Sequence, residues 1–416
     1  MNDTRTVIPE LSSNLSSIFS PSDYSSASHS LCAPYIRRRR PKTIIHYNDA
    51  PPSKILKPGE GVNLEVDFFR TYDDLYIRHA RFAPSDENIT DTYVPLQGKS
   101  TPIECNQDRI EYIVRDGHQA FTMDWRSQGL SSRSDPRTDK VHVEDFLEYA
   151  RDLRQFLYET VLPQKKGRVV IVADSMGAAV VFTAIVHKLI PQDKIDEFFF
   201  PAPLTASKDL TMENISLTGI DGKLDLKKAC ADLWRVTKGQ VALRVADLEC
   251  RLGRGKKYCW TTGDRNWDFE RTRYTDYTLI LAELEKVAQQ NILEPRIKSG
   301  GPTWSWIQAY SRYVKLLDKM EQHCITVPST LILAGHDNIV FNPKTLRVAH
   351  RIMAKYNTHI LPAAHAFEMS GAELIRETGD IILGKKDRNP QEDGRGPHRT
   401  ANPRKPKAYE HLPMAA

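Results

Sequence analysis

The segment 169–181, VVIVADSMGAAVV, constrains the fold of this chain more than any other stretch. It begins with an uninterrupted run of β-branched and small apolar residues, which is typical of a strand buried on both faces of a parallel sheet. The residues from Met176 onward are suited to a helix, and Pro191 ends that pattern. A buried strand that leads straight into a helix is the repeating unit of an α/β fold.

The same alternation recurs on both sides of this segment. Strands are predicted at 91–98, 119–124, 168–174, 194–203, 327–337 and 358–365, and helices at 142–162, 176–190 and 342–356. Strands that alternate with helices favour a mostly parallel, doubly wound sheet. In such a sheet the site forms in the loops at the carboxyl ends of the strands.

Three segments depart from this pattern. Residues 204–326 are helical and polar, with several aromatic residues and few strand signals. An insertion of this size between the predicted strands at 194–203 and 327–337 of one sheet predicts a helical cap. Residues 1–46 are rich in Ser and Arg, and residues 385–416 are rich in Pro, Gly and charge, so both are predicted to be disordered tails around a folded part at 47–384.

The positive charge of the chain belongs to its two ends. The net charge is +5, of which residues 1–40 carry +2 and residues 385–416 carry +4. The middle of the chain is therefore close to neutral. A basic tail can contact an anionic membrane, but such tails are more often only solvated. We expect no nucleic-acid partner and keep a peripheral membrane contact of the tails as an alternative.

Cysteine usage indicates a reducing compartment, and hydropathy shows neither a membrane helix nor a secretory signal. The six cysteines form no C-x-x-C pair, which argues against a zinc site and against a disulfide framework. No run reaches the roughly 18 apolar residues of a membrane helix. The N-terminus lacks the basic and then apolar pattern of a secretory signal. The sequence thus predicts a cytoplasmic protein, with a peripheral position at the inner face of the membrane as the alternative.

Ser175 lies where the strand of this segment meets its helix. A serine in that context can be a nucleophile on a strained turn, which requires small neighbours and is written G-x-S-x-G in hydrolases. Gly177 satisfies the pattern, whereas Ala173 stands where the first glycine is usual. The alternative is a serine that only caps the helix. The choice between a nucleophile and a helix cap depends on whether the rest of the chain supplies the partners that a nucleophilic serine needs.

A nucleophilic serine needs a histidine that takes its proton and an acid that orients the histidine. Asp337 and His365 each follow a separate predicted strand, so the three residues occur in the order Ser, Asp, His that hydrolases of this kind use. Asp337 alone could cap a turn, and His365 alone could be a surface residue. Their joint placement predicts a catalytic triad. His336 is a competitor, but it is too close to Asp337 in the chain to be oriented by it.

Acyl transfer also needs backbone N–H groups that stabilise an oxyanion. The residue after the nucleophile, Met176, should provide one of them. The loop after the strand at 91–98 should provide the other, at Gly98 or Lys99. Gly98 permits the close backbone approach that this role requires.

Several motifs resemble those of lysophospholipases of the bacterial L2 type, also described as monoacylglycerol-lipase-like serine hydrolases. The resemblance covers about residues 62–384. The motifs of the sheet are DWRSQGLS at 124–131, VHVEDFLEYARDL at 141–153, ADSMGA at 173–178, FFFPAP at 198–203, AGHD at 334–337 and AAHAFEM at 363–369. TRYTDY at 272–277 and GGPTWSW at 300–306 lie in the cap and are more specific for this branch.

The chain departs from the family pattern at several positions. Ala173 replaces the first glycine of the elbow, Asp174 stands where a histidine is usual, and Ser127 replaces a glycine. The oxyanion loop differs as well, although its Gly and basic residue are kept, and Glu104 resembles the acid that follows them. These departures leave the three triad candidates in place.

The resemblance implies an α/β-hydrolase fold, in whose strand numbering the cap lies between strands six and seven, and a serine hydrolase without metal or cofactor. It would cleave the fatty-acyl ester of a lysophospholipid or monoacylglycerol through an acyl-enzyme on Ser175. Trp304, Trp306 and Tyr310 could line a groove for the acyl chain, or they could pack the cap on the core. An acyltransferase, a short-chain carboxylesterase and a non-catalytic ligand-binding protein are the alternatives.

Overall fold

One eight-stranded sheet organises the protein, in the order β1-β2-β4-β3-β5-β6-β7-β8. The strands are β1 (Val62–Arg70), β2 (Tyr76–Pro84), β3 (Thr92–Leu96), β4 (Gln119–Met123), β5 (Val169–Ala173), β6 (Glu197–Pro201), β7 (Ser329–Ala334) and β8 (Tyr356–Leu361). The computed structural model describes residues 52–133, 139–218, 224–259 and 274–386. The tail predicted at 1–46 lies outside these residues, as do the start of the motif at 272–277 and all of the tail predicted at 385–416 except Lys385 and Lys386.

The sheet is parallel from β3 to β8, as predicted. β2 pairs antiparallel with β4, and β1 pairs antiparallel with β2. This N-terminal hairpin is absent from the sequence-based prediction, which followed continuous apolar runs. Apolar and polar residues instead alternate along β1, as is typical of a half-buried strand. The other strands occur where their apolar runs predict them, with ends shifted by a few residues.

Helices cover both faces of the sheet. In chain order, the helices of the described residues are α1 (Ile103–Arg115), α2 (Phe146–Phe156), α3 (Met176–Val186), α4 (Leu226–Arg251), α5 (Tyr274–Tyr277), α6 (Leu281–Leu293), α7 (Trp304–Asp318), α8 (Asn342–Ile352) and α9 (Gly371–Ile382). A π-helical turn, Leu157–Val161, continues α2. Short 3₁₀ turns lie at Leu162–Gln164, Gln192–Lys194, Lys208–Leu210, Met212–Asn214, Pro295–Ile297 and Phe367–Met369.

The continuous apolar run of β5 is explained by burial on both faces. Val169, Ile171 and Ala173 belong to one hydrophobic cluster, which also contains residues of α2, α3 and α7. Val170 and Val172 belong to a second cluster, which contains residues of α1 and α9. Because side chains alternate across a strand, each face of the sheet must supply its own apolar partner.

The segment between β6 and β7 is helical, and it contains α4 to α7. Two of these helices, α4 and α7, pack against each other. α7 also contacts α2 and α3 of the sheet domain through its buried aromatic side chains. The proposed cap is thus anchored on the sheet domain through α7, above the carboxyl ends of the strands.

Candidate active site

Ser175 occupies a strained turn between β5 and α3. Its φ is +45° and its ψ is −107°, a conformation that non-glycine residues rarely adopt. Its N–H donates to the carbonyl of Pro201 in β6 at 3.0 Å, which helps to hold the turn. A Cβ on Gly177 would lie 2.5 Å from the carbonyl oxygen of Leu96, so this position of the elbow requires glycine. Ala173 is fully buried in the core, where its methyl group is accommodated.

Ser175, His365 and Asp337 form one hydrogen-bonded series. Ser175 Oγ lies 2.8 Å from His365 Nε2, and His365 Nδ1 lies 2.8 Å from Asp337 Oδ2. The other oxygen of Asp337 accepts the backbone N–H groups of Ile339 and Val340 at 2.8 and 2.7 Å. These bonds fix the carboxylate, which in turn orients the imidazole so that Nε2 faces the hydroxyl.

The electrostatics of the pair suit a general base. Burial alone would raise the pKa of Asp337, but His365 and two backbone amides outweigh burial and lower it. Burial would lower the pKa of His365, but Asp337 raises it, with further contributions from Glu368 and Asp174. Asp337 therefore stays ionised and stabilises the imidazolium that forms when His365 takes a proton. The competitor His336 is exposed, and His365 occupies the position beside the serine.

Asp174, the unusual neighbour of the nucleophile, is held by a buried arginine. Arg109 of α1 donates through Nη1 to one oxygen of Asp174 at 2.8 Å and through Nη2 to the other. The same Nη2 donates to Asn106 at 2.9 Å. The two side chains of the ion pair are only 1% and 7% exposed. α1 is therefore tied to the elbow by a bidentate charge-assisted contact.

The loop after β3 lies directly against the nucleophile. A Cβ on Gly98 would be 3.4 Å from the Cβ of Ser175, and Gly98 and Lys99 both line the cavity around the serine. Met176 is the first residue of α3, where a backbone N–H has no partner within the helix. These positions fit the oxyanion role that the sequence predicts for the three residues.

The DWRSQGLS motif braces this loop. Trp125 donates through Nε1 to the carbonyl of Gln97 at 2.8 Å, and the side chain of Gln128 accepts the N–H of Ser100 at 2.6 Å. Ser127, which replaces a glycine of the family pattern, has a φ of +62°. The glycine of the pattern would adopt this left-handed conformation without the strain that a serine side chain introduces.

A buried charge cluster connects the motif to the start of α1. Arg78 of β2 donates to both oxygens of Glu104 at 2.8 Å and to Asp124 at 2.7 Å. Asp124 also accepts the backbone N–H groups of Ile103 and Leu130. The acid at position 104, noted in the sequence only by resemblance, thus joins three elements around the oxyanion loop.

Glu368 is a second acid near the triad. Its side chain accepts a hydrogen bond from Thr101 Oγ1 at 3.2 Å and lines the same cavity as Ser175. Burial raises the pKa of Glu368, and the nearby Asp174 raises it further. Sequence reasoning missed Glu368 and Arg109 as parts of the site. Glu368 lies within the AAHAFEM motif, which was the one available signal.

The triad opens into a cavity of about 1220 Å³, which has walls from the sheet domain and from the cap. Trp306 and Tyr310, two of the three aromatic residues considered for an acyl groove, line it, and their rings stack at 5.8 Å. Trp304 is elsewhere: it is buried against Ala246 and Cys259, between α7 and α4. Side chains two positions apart on an α-helix differ in direction by about 200°, so Trp304 and Trp306 point to opposite sides of α7.

In the part of the chain that the structure describes, no helix combines the length and apolar character needed to cross a membrane. Over the same residues, no group of three or more His, Cys, Asp or Glu side chains is arranged to hold a metal ion.

Comparisons with known proteins agree with this architecture. The family model described as serine aminopeptidase, S33, matches residues 96–365, from the end of β3 to His365. A search of curated proteins finds no match. Among solved structures, a soluble variant of monoglyceride lipase from Saccharomyces cerevisiae is 15% identical, with a TM-score of 0.57 over 80% of this chain and 98% of that chain.

Two further structures extend the likeness. The Cif epoxide hydrolase from Acinetobacter nosocomialis is 12% identical, with a TM-score of 0.53 over 79% of this chain and 90% of that chain. The monoacylglycerol lipase of Paleococcus ferrophilus is 13% identical, with a TM-score of 0.50 over 75% of this chain and 100% of that chain. At these identities the likeness concerns the fold alone. The predicted α/β-hydrolase fold is confirmed.

Proposed function

Because the chain belongs to the hydrolase family of the serine aminopeptidase S33 model, we propose that it hydrolyses an ester through an acyl-enzyme on Ser175. One observation carries the proposal. The hydroxyl of Ser175, the imidazole of His365 and the carboxylate of Asp337 are joined by two contacts of 2.8 Å at the wall of a large cavity. This is the geometry that activates a serine for attack on a carbonyl group.

The reaction would proceed in two halves. Ser175 Oγ attacks the ester carbonyl carbon as His365 Nε2 takes its proton, and the N–H groups of Met176 and of Gly98 or Lys99 stabilise the oxyanion. The tetrahedral intermediate expels the alcohol, which receives the proton from His365. A water then attacks the acyl group, with His365 again as the base, and the carboxylic acid leaves. These steps require neither a metal nor a cofactor.

A fatty-acyl ester is the substrate class that the cavity suits best. Leu243, Leu284 and Val287 of the cap join Trp306 and Tyr310 along its wall. Apolar side chains of this kind favour an acyl chain, because burial of each methylene stabilises binding by about 0.8 kcal/mol. Two of the similar solved structures are described as monoglyceride and monoacylglycerol lipases. We therefore propose a lysophospholipid or monoacylglycerol as the substrate.

Other activities would use the same residues. Acyl transfer to an alcohol or amine differs only in the acceptor that replaces water, and a short-chain ester would occupy only part of the cavity. The description of the family also includes peptide hydrolysis. A cytoplasmic location, with the basic tails in peripheral contact with an anionic membrane, stays a prediction from the sequence.

Labelling with a fluorophosphonate probe tests the proposed nucleophile. The wild-type protein should be labelled, and Ser175→Ala should abolish labelling while the protein remains folded by circular dichroism. Ser85→Ala, which removes an exposed serine at the end of β2, is the matched control and should be labelled like the wild type. A folded wild-type protein that is not labelled would refute the proposal.

A substrate panel then defines the class. Lysophospholipids, monoacylglycerols, short p-nitrophenyl esters and aminoacyl arylamides should be compared by kcat/KM, with glycerol added as a competing acceptor. The proposal expects the highest kcat/KM for the long-chain esters. A preference for the arylamides would favour a peptidase, and an acylated glycerol product would favour a transferase.

A further inference from the structure

Helix α4 of the cap exposes an unusual set of large apolar side chains. Leu226, Leu233, Trp234, Val241 and Leu248 are 61%, 47%, 71%, 42% and 53% exposed. Single exposed apolar residues are common on protein surfaces, but several on one helix indicate a surface that contacts something else. The buried residues of α4 are small or β-branched, namely Ala229, Val236 and Ala246, and they face the rest of the cap.

These apolar residues lie on one face of the helix. Leu226, Leu233, Val241 and Leu248 recur at intervals of seven or eight residues, which is two turns of an α-helix. The stripe therefore runs along the whole outward side of α4. It is not the core-facing side, because its members are 42–61% exposed, whereas Val236 and Ala246 on another side of the helix are fully buried.

The charges that share this outward face are basic. Lys227, Lys238 and Arg244 are exposed there. The acidic residues of α4 are instead half-buried and engaged in ion pairs: Asp232 with Lys228 and Arg235, Asp247 with Arg251, and Glu249 with Arg254. An apolar stripe flanked by basic residues is the pattern of a helix that lies on an anionic lipid surface.

The same face reaches the mouth of the cavity. Trp234 and Lys238 of α4 line the cavity and are exposed to solvent, and so is Ile292 of α6, which is 69% exposed. The rim of the cavity therefore continues into the outward face of α4. A molecule held at that face would have an apolar path towards Ser175.

We propose that the outward face of α4 docks on an anionic lipid bilayer, with the mouth of the cavity opening at the membrane surface. A second copy of this chain fits the face less well, because a two-fold contact would place the basic side chains of one α4 beside those of the other. A bilayer that contains anionic lipid instead offers negative charge to Lys227, Lys238 and Arg244, and an apolar layer to the leucines. This docking does not depend on the proposed hydrolysis.

Vesicle sedimentation of the full-length chain tests the proposal. Ser175→Ala should be used as the background, so that turnover does not alter the vesicles, and binding should be measured to phosphatidylcholine vesicles with and without phosphatidylserine. The triple variant Leu233→Ser, Val241→Ser, Leu248→Ser should lose at least tenfold in partition coefficient. Arg244→Gln should lose about fivefold, and only on the anionic vesicles.

Matched substitutions elsewhere provide the controls. Ile360→Ser removes an equally exposed apolar side chain from β8, and Lys165→Gln removes an exposed basic side chain, so both variants should bind like the parent protein. In the active background the triple variant should hydrolyse a soluble short ester at the wild-type rate, because none of its three positions lines the cavity. If the fluorophosphonate probe fails to label Ser175 but the protein still binds vesicles, the proposed function is refuted and the docking stands.

Three results would overturn the docking. The parent protein could fail to sediment with the anionic vesicles. The triple variant could bind as well as the parent, which would assign the contact to another part of the chain. Light scattering could detect a dimer that the triple variant dissociates, which would make the face an interface between copies.

Discussion

The ion pair between Arg109 and Asp174 should be a main support of the elbow that carries the nucleophile. The perturbation is Arg109→Met, which keeps much of the side-chain volume and removes the charge. The two side chains are 1% and 7% exposed, so the carboxylate of Asp174 would be left buried without a cation. Breaking a buried pair by removing one partner costs about 3–5 kcal/mol, which shifts the unfolding equilibrium by roughly two to four orders of magnitude.

Urea denaturation followed by circular dichroism and tryptophan fluorescence measures this loss. Arg109→Met, Asp174→Asn and the double variant complete a double-mutant cycle. We expect the double variant to be more stable than the sum of the single losses implies, by about 2 kcal/mol or more, because it leaves no unpaired buried charge. The exposed pair Arg70–Asp74, whose side chains are 60% and 43% exposed, is the matched control and should contribute less than about 1 kcal/mol.

Additivity would refute this reasoning. If the two single losses sum to the loss of the double variant within about 0.5 kcal/mol, the pair is not coupled and its burial has no energetic consequence. A second measurement keeps the test independent of stability. At a temperature where every variant is folded, Arg109→Met should still lower kcat/KM for a soluble ester, because the side chain that it releases belongs to Asp174, the residue next to Ser175 in the elbow.

Other contacts of the site have measurable consequences. His365 must be neutral to accept a proton, so kcat/KM should rise with pH through a pKa above the ordinary 6.5 of histidine. Because Glu368 helps to raise the pKa of His365, Glu368→Gln should move this rise in kcat/KM to lower pH. A rise at the same pH in the variant would exclude an electrostatic role for the Glu368 carboxyl. Gly177→Ala should destabilise the protein by about 3 kcal/mol in urea denaturation, because its methyl group would press on the carbonyl oxygen of Leu96 in β3. A variant as stable as the wild type would contradict this close contact between the elbow and β3. Trp306→Ala should raise KM for long-chain esters roughly tenfold, whereas Trp304→Ala should reduce stability and leave KM unchanged. Equal effects of the two variants on KM would contradict the placement of Trp306 at the cavity and Trp304 away from it.

Features encoded in short stretches of sequence could be predicted well. The apolar run of β5 predicts a strand buried on both faces, and the structure has one hydrophobic cluster on each side of it. The order of Ser175, Asp337 and His365 along the chain predicts that they meet, because each follows a strand of one parallel sheet. The hairpin of β1 and β2 was missed because its strands lack a continuous apolar run, although apolar and polar residues alternate along β1.

By itself, the sequence determined the parallel part of the sheet, the helices around β5 and the three residues that form the hydrogen-bonded series. Only the tertiary structure decided which charges face one another, and it paired Asp174 with Arg109, 65 residues away, and Glu104 with Arg78. It also directed Trp306 to the cavity and Trp304 away from it. The physical reason is that periodicity and turn chemistry are local, whereas the partner of a buried charge or aromatic ring depends on how distant elements pack.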